Sequence, residues 1–272
     1  MTELNTVNAG ANPDLANSLV EQALADKPQP VEPARIIPPS NNVVVLPSGY
    51  IGPDGKLRTE VEVRELTGSD EEALSKTDTL VKTWSTVLSR GVVKIGELPV
   101  NEEILDNLLI GDRDMLVLGV YKATFGNFAN IDAYCIGCKE YKTVSFNLNE
   151  DLKIKTLADP INQRVFEVFG KTNRYLVTLP TGIAQKEISV DPNKTDAEIK
   201  TILLEKCIIE INDSPVISRN QVKGMSIPDR QLVVEEIAKR APGPQFEDTE
   251  IDCPNCGGKV VVPVNLGTIF RY

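Results

Sequence analysis

The sequence contains no histidine. That absence removes the usual general base, the Ser/His and Cys/His nucleophile pairs, and the metal ligand most often used beside cysteine. Most hydrolytic mechanisms are thereby closed, and an enzyme is not expected. Positive charge is also scarce: 29 Lys and Arg against 39 Asp and Glu leave a net charge of −10 and a pI of about 4.8. Binding to phosphates needs clustered Lys and Arg, so nucleic acid is not an expected partner. No uncharged apolar run reaches the roughly 18–20 residues that span a bilayer, so no membrane partner is expected. Met1 to Ala11 has neither the basic start nor the apolar stretch of a signal peptide. Five cysteines in 272 residues are too few for a disulfide scaffold. These absences place folding in a reducing, cytosol-like compartment.

Aromatic residues are missing from the first 40 positions, which carry six prolines instead. Such a stretch cannot bury enough apolar surface to pack, so residues 1–41 read as a flexible arm. Within it Leu15, Ala16, Leu19, Val20, Ala23 and Leu24 recur at helical spacing, predicting a short amphipathic helix over Asp14–Asp26. Alone it would be marginal in water; it would order by laying its apolar stripe on a partner, or else fray.

From Asn42 the chain reads as α+β, in two related units over residues 42–157 and 158–272. In the first, Val61 to Leu66 alternates like a strand. Ser69 with Glu72 forms a capping box for a helix that runs through Ala73, Leu80, Trp84 and Leu88 to Gly91. Val92–Ile95 then reads as a strand. In the second, Tyr175–Leu179 is the strand, Thr195 with Glu198 the capping box, and Cys207–Ile211 the next strand. Gly111-Asp112-Arg113-Asp114-Met115-Leu116-Val117 resembles Ile227-Pro228-Asp229-Arg230-Gln231-Leu232-Val233, and each opens a helix. An Asp there is favoured by the exposed N–H groups and the dipole of a helix start, so Asp112 and Asp114 need no catalytic role. Both series close on Cys-x-x-Cys, Cys135/Cys138 and Cys253/Cys256, each followed by an alternating strand that runs to Leu148 or to Leu266. The repeated order predicts tandem duplication, with the two copies related by a pseudo-twofold axis. The glycines of Gly49 to Gly55 match no nucleotide-binding fingerprint and read as a turn between strands.

Each Cys-x-x-Cys lies between strand-like runs, as in a zinc knuckle at a hairpin tip. Pro254 and Gly257 favour the tight turn in the second; the first carries Lys139 where that glycine stands. Two thiolates do not close a tetrahedral site and no histidine is available to complete one. The economical arrangement joins Cys135, Cys138, Cys253 and Cys256 around one structural zinc ion per chain. A redox dithiol, a pair of disulfides, an iron–sulfur cluster or a site shared with another subunit are the alternatives. Cys207, in an apolar run, reads as a buried small residue.

Several segments carry a resemblance to a family. They are Pro99-Val100-Asn101, Gly111 to Leu118, Lys122-Ala123-Thr124-Phe125-Gly126, the Cys135/Cys138 pair, Phe146-Asn147-Leu148, and Arg64 to Glu72. These look like the T4-type bacteriophage baseplate hub proteins. Leu179-Pro180-Thr181-Gly182 and Phe270-Arg271-Tyr272 resemble related tail proteins of other long-tailed phages. The resemblance implies a virion tail-tip component, or a factor that assembles it, made in the host cytoplasm. It implies no catalysis and a place among other tail and baseplate proteins, which the N-terminal arm would contact. A baseplate or tail assembly chaperone absent from the mature virion, and a zinc-ribbon adaptor in host transcription or RNA metabolism, are the rival readings.

Overall fold

In the computed structural model residues 13–25, 42–191, 193–253 and 255–270 are described. Pro254, Arg271, Tyr272 and most of the arm's prolines lie outside them. The chain divides into two compact units, Met1–Pro38 and Pro39–Tyr272. Among the described residues the first contributes one helix, α1 (Pro13–Ala25), on which Leu19 and Val20 are exposed.

The second unit opens with a sheet. Strands β1 (Asn42–Ile51) and β2 (Leu57–Val63) are joined by the turn expected around Pro53-Asp54-Gly55, where Gly55 takes a φ of 73°. Two helices follow, α2 (Gly68–Leu74) and α3 (Leu80–Gly91), where periodicity predicts one. The break is local chemistry. Thr77 Oγ1 donates to the Leu74 carbonyl, and Thr79 caps α3 by accepting from the Lys82 amide. Side chains that bond nearby backbone in this way compete with a continuous helix. The cap of α2 is Thr67 with Asp70 rather than Ser69 with Glu72. Strands β3 (Val92–Ile95) and β4 (Leu98–Pro99) complete the sheet in the order β1-β2-β3-β4. Then come α4 (Glu102–Asn107), α5 (Ile110–Phe125), and a hairpin of β5 (Phe128–Cys135) and β6 (Glu140–Asn147).

After β7 (Ile154–Lys155) the same order recurs. Strands β8 (Val165–Phe169) and β9 (Arg174–Thr178) precede α6 (Gly182–Ser189) and α7 (Asp196–Cys207). Strands β10 (Ile208–Ile211) and β11 (Ser214–Pro215) precede α8 (Arg219–Lys223) and α9 (Ile227–Arg240). After β12 (Gly243–Pro244) come a hairpin of β13 (Thr249–Asp252) and β14 (Lys259–Val262), then α10 (Leu266–Ile269). The capping box of Thr195 with Glu198 opens α7 as expected. The alternating run expected to reach Leu266 stops at Val262, because Pro263 has no N–H to give a ladder.

The correspondence extends to register. Glu62 faces Lys94 and Val63 faces Val92 in the first sheet; Leu176 faces Glu210 and Val177 faces Ile208 in the second, with an irregularity at the same step of both. Arg113 of α5 donates to the Leu105 carbonyl (2.6 Å) and reaches Ser85 Oγ on α3. Arg230 of α9 donates to the Val222 carbonyl (3.1 Å) and to Thr201 Oγ1 on α7 (2.7 Å).

Burial does not follow the chain order of these elements. One core runs from Val44 to Leu152 and takes in Cys253, Val260, Val262, Val264, Leu266, Ile269 and Phe270. Phe270 packs edge-on against Trp84 and Tyr121, at ring separations of 5.1 and 5.0 Å. The other core lies within Val168–Ile237 and includes Cys207. The closing hairpin thus packs on the first core, against β5, and this carries the second Cys-x-x-Cys back to the first.

Candidate metal centre

The first knuckle sits at the tip of the β5–β6 hairpin. Alternation along β5 leaves Ala129, Ile131, Ala133 and Cys135 buried and Phe128, Asn130, Asp132 and Tyr134 exposed, so the Cys135 thiol points into the core side. The Lys139 amide donates to the Cys135 carbonyl at 2.8 Å; in the second knuckle the Gly257 amide donates to the Cys253 carbonyl at 2.9 Å. Lys139 adopts a φ of 58° and Gly257 one of 68°. Both turns therefore have one geometry, and the lysine that departs from the glycine pattern still takes the left-handed conformation.

All four expected residues come together. Cys135 Sγ lies 3.7 Å from Cys256 Sγ, Cys138 Sγ lies 3.8 Å from Cys253 Sγ, and the four sulfurs fall within 4.8 Å of one another. A disulfide needs an S–S bond of about 2.05 Å, so these are separate thiols. Four sulfurs at about 2.3 Å from a tetrahedral ion stand about 3.8 Å apart, which matches the two closest separations. Cys135 and Cys253 are buried, Cys138 is half-buried and Cys256 is exposed. Room is tight at the turn, where a Cβ on Gly137 would lie 3.1 Å from Cys256 Sγ.

Electrostatics suit a cation. The backbone amides of Asn255 and Cys256 draw the Cys253 thiol down to about 6, while hydrogen bonding with Cys256 and burial push Cys138 up to about 12. Cys138 and Cys253 thus differ in readiness to ionise, and an ion between the sulfurs would offset the mutual repulsion of neighbouring thiolates. The Cys138 amide, 3.4 Å from Cys135 Sγ, supplies a donor toward sulfur. The donor set fits a closed, structural metal site, with no open position for a reactant.

The remaining sequence candidates fall elsewhere. Asp112 is buried at the start of α5, accepting from the amide and hydroxyl of Ser48. Its counterpart Asp229 accepts from the Lys171 amide (3.1 Å) and the Tyr175 hydroxyl (2.7 Å). Both join a helix start to a strand or strand turn, contacts that the Asp-Arg repeat hinted at but did not locate. A cavity of about 950 Å³ opens between α3, α4 and α6. Several charges lining it neutralise one another: Lys82 pairs with Asp78, and Lys186 with Glu102 and Asp106. Trp84 is core, as its helical position suggested.

No curated protein and no solved structure matches the chain significantly. The model of one family, described as T4 bacteriophage base plate protein, matches residues 42–271, which takes in both sheets and both knuckles, and the chain belongs to that family.

Proposed function

We propose that the protein is a structural, non-enzymatic component of a bacteriophage tail baseplate or hub, held rigid by one zinc ion bound to Cys135, Cys138, Cys253 and Cys256. The observation that carries the reading is the meeting of four thiols from two hairpins more than 100 residues apart in a baseplate-family chain. Zinc suits a tetrahedral all-sulfur set with no redox duty, and in zinc-finger peptides such sites contribute on the order of 10 kcal/mol to folding. A part that transmits load between subunits gains from a crosslink that persists where disulfides are reduced.

The matched order of elements, the shared sheet register and the equivalent Arg113 and Arg230 bonds support an origin by tandem duplication, with units over residues 42–157 and 158–272. The N-terminal arm, with Leu19 and Val20 exposed on α1, is the segment we assign to neighbouring tail proteins. The test is mass spectrometry of purified phage tails together with elemental analysis of the isolated chain. The reading requires the chain in mature tails at fixed stoichiometry and about one zinc per chain. Presence only in assembly intermediates would replace it with an assembly factor.

A further inference from the structure

The two halves touch through a contact that runs one way. Helix α6 of the second half packs on α3, α4 and α5 of the first. There Gly182 donates its amide to the Leu108 carbonyl, Ile110 donates to the Pro180 carbonyl, and Lys186 pairs with Glu102 (2.6 Å) and Asp106 (2.7 Å). Arg113 Nε donates to Gln185 Oε1 at 3.0 Å, and a Cβ on Gly182 would collide with the Arg113 guanidinium.

The repeat gives every one of these groups a counterpart. Helix α2, capped by Thr67, corresponds to α6, capped by Thr181, so Gly68 matches Gly182, Glu71 matches Gln185 and Glu72 matches Lys186. Helix α8, capped by Ser218, corresponds to α4, capped by Asn101, so Arg219 matches Glu102 and Lys223 matches Asp106. Arg230 matches Arg113, Ile227 matches Ile110, and Ile217 matches Val100.

Within the chain most of these counterparts remain uncovered, although Arg219 already pairs with Glu205 (2.6 Å) and Glu187 (2.8 Å). Gly68 is exposed with open space where a Cβ would stand, and Glu71 and Glu72 are exposed. Ile217 and Ile227 are 85% and 80% exposed, against the half-buried Val100 and Ile110. Arg230 uses its two terminal nitrogens on Val222, Ala197 and Thr201; among the described residues its Nε, the atom that in Arg113 reaches Gln185, has no partner. The charges have also exchanged sides. Where the internal contact sets a lysine on α6 against acids on α4, the uncovered surfaces set acids on α2 against Lys223 on α8.

We infer that a second copy of this chain docks here, the Thr67–Glu72 start of α2 in one copy seating on α8 and the α9 start of the next. Glu72 then meets Lys223, Glu71 meets Arg230 Nε, and Ile217 and Ile227 are covered. Reversed charges favour this contact, because α2 of one copy is opposed in sign to α8 of the next. The two surfaces differ, so the contact is heterologous and generates a ring or an open helix of copies rather than a closed dimer. The inference rests on the internal contact and on the tandem repeat proposed above, and is independent of zinc and of phage tails.

The test is sedimentation of the purified full chain across a concentration series. Wild type is expected to associate beyond a dimer, and to do so less as salt rises. Glu72→Lys and Lys223→Glu should each weaken association at least about tenfold, and the two together in one chain should restore it. Gly68→Leu, which has free space within its own chain, should block association through the Arg230 collision. Circular dichroism identical to wild type would show that the variants fold. A wild type that stays monomeric at every soluble concentration overturns the inference. So does association that Gly68→Leu and Glu72→Lys leave unchanged.

Discussion

Cys135 and Cys256 stand 121 residues apart in the chain and 3.7 Å apart at their sulfurs. Cys138 and Cys253 meet in the same way, 115 residues apart at 3.8 Å, so each knuckle offers its first cysteine to the other's second. The four thiols bring the β5–β6 tip to the closing hairpin, two elements that already share one core. An ion bound here would fasten the closing segment to the folded body, which is the physical basis of the first prediction.

Cys253→Ser is expected to reduce bound zinc from about one per chain to well under half. It should lower stability by several kcal/mol, since a three-thiolate remnant no longer closes the tetrahedron. Elemental analysis and urea melts of both proteins test this. Cys207→Ser, which changes a residue of the other core, should leave zinc content unchanged.

Lys139 carries a prediction of opposite sign. Its φ of 58° lies where side chains pay and glycine does not. Lys139→Gly is therefore expected to raise stability by up to about 1 kcal/mol, with zinc content unaltered. Gly257→Lys at the equivalent turn should lose a similar amount. Equal melting of Lys139→Gly and wild type would remove the assigned strain.

Much of this centre was legible in the sequence. Spacing gave the two knuckles, and the absence of histidine left four sulfurs as the economical set. The β2, β3 and β9 strands, the α7 cap and the helices opened by Asp112 and Asp229 followed from alternation and capping chemistry. What escaped was local side-chain bonding and long-range packing. Periodicity merged α2 and α3, because Thr77 and Thr79 break the helix through side-chain bonds that a hydrophobic pattern does not record. Likewise nothing local in Val260 to Phe270 says that these residues join the first core, a choice made by Trp84 and Tyr121 more than 100 residues earlier.

Asp112 and Asp229 occupy equivalent sites but titrate in opposite directions. Burial pushes the Asp112 carboxyl up to about 6, with Ser48 only partly offsetting it; the Lys171 amide and Tyr175 hydroxyl hold Asp229 below its ordinary value. For Asp112 the folded state binds the proton more tightly than the unfolded chain. Its contribution is therefore fully present at low pH and is lost as pH rises from about 4 through about 6, by at most about 3 kcal/mol. Asp112→Asn removes that titration, so its stability relative to wild type should climb across this window in urea melts at successive pH values. Zinc loss on acidification affects both proteins and largely cancels in the difference. A difference independent of pH would show that Asp112 does not titrate there.

The last prediction concerns Gly111, at the start of α5, where β12 crosses. A Cβ on Gly111 would lie 1.8 Å from the Pro242 carbonyl oxygen and 2.6 Å from its carbon, both backbone atoms. Gly243, in β12, is equally constrained: its φ is 109° and its own Cβ would lie 2.5 Å from the Gly111 Cα. The close approach lets β12 pair with β7 through Gly243 and Lys155 while packing on α5. Gly111→Ala must push this strand away, and overpacking against backbone is expected to cost about 3 kcal/mol or more. Gly55→Ala offers the contrast, since Gly55 has a φ of 73° but open space around it, so only the conformational penalty of about 1 kcal/mol applies. If the two variants melt alike, the backbone crossing is not what requires glycine at position 111.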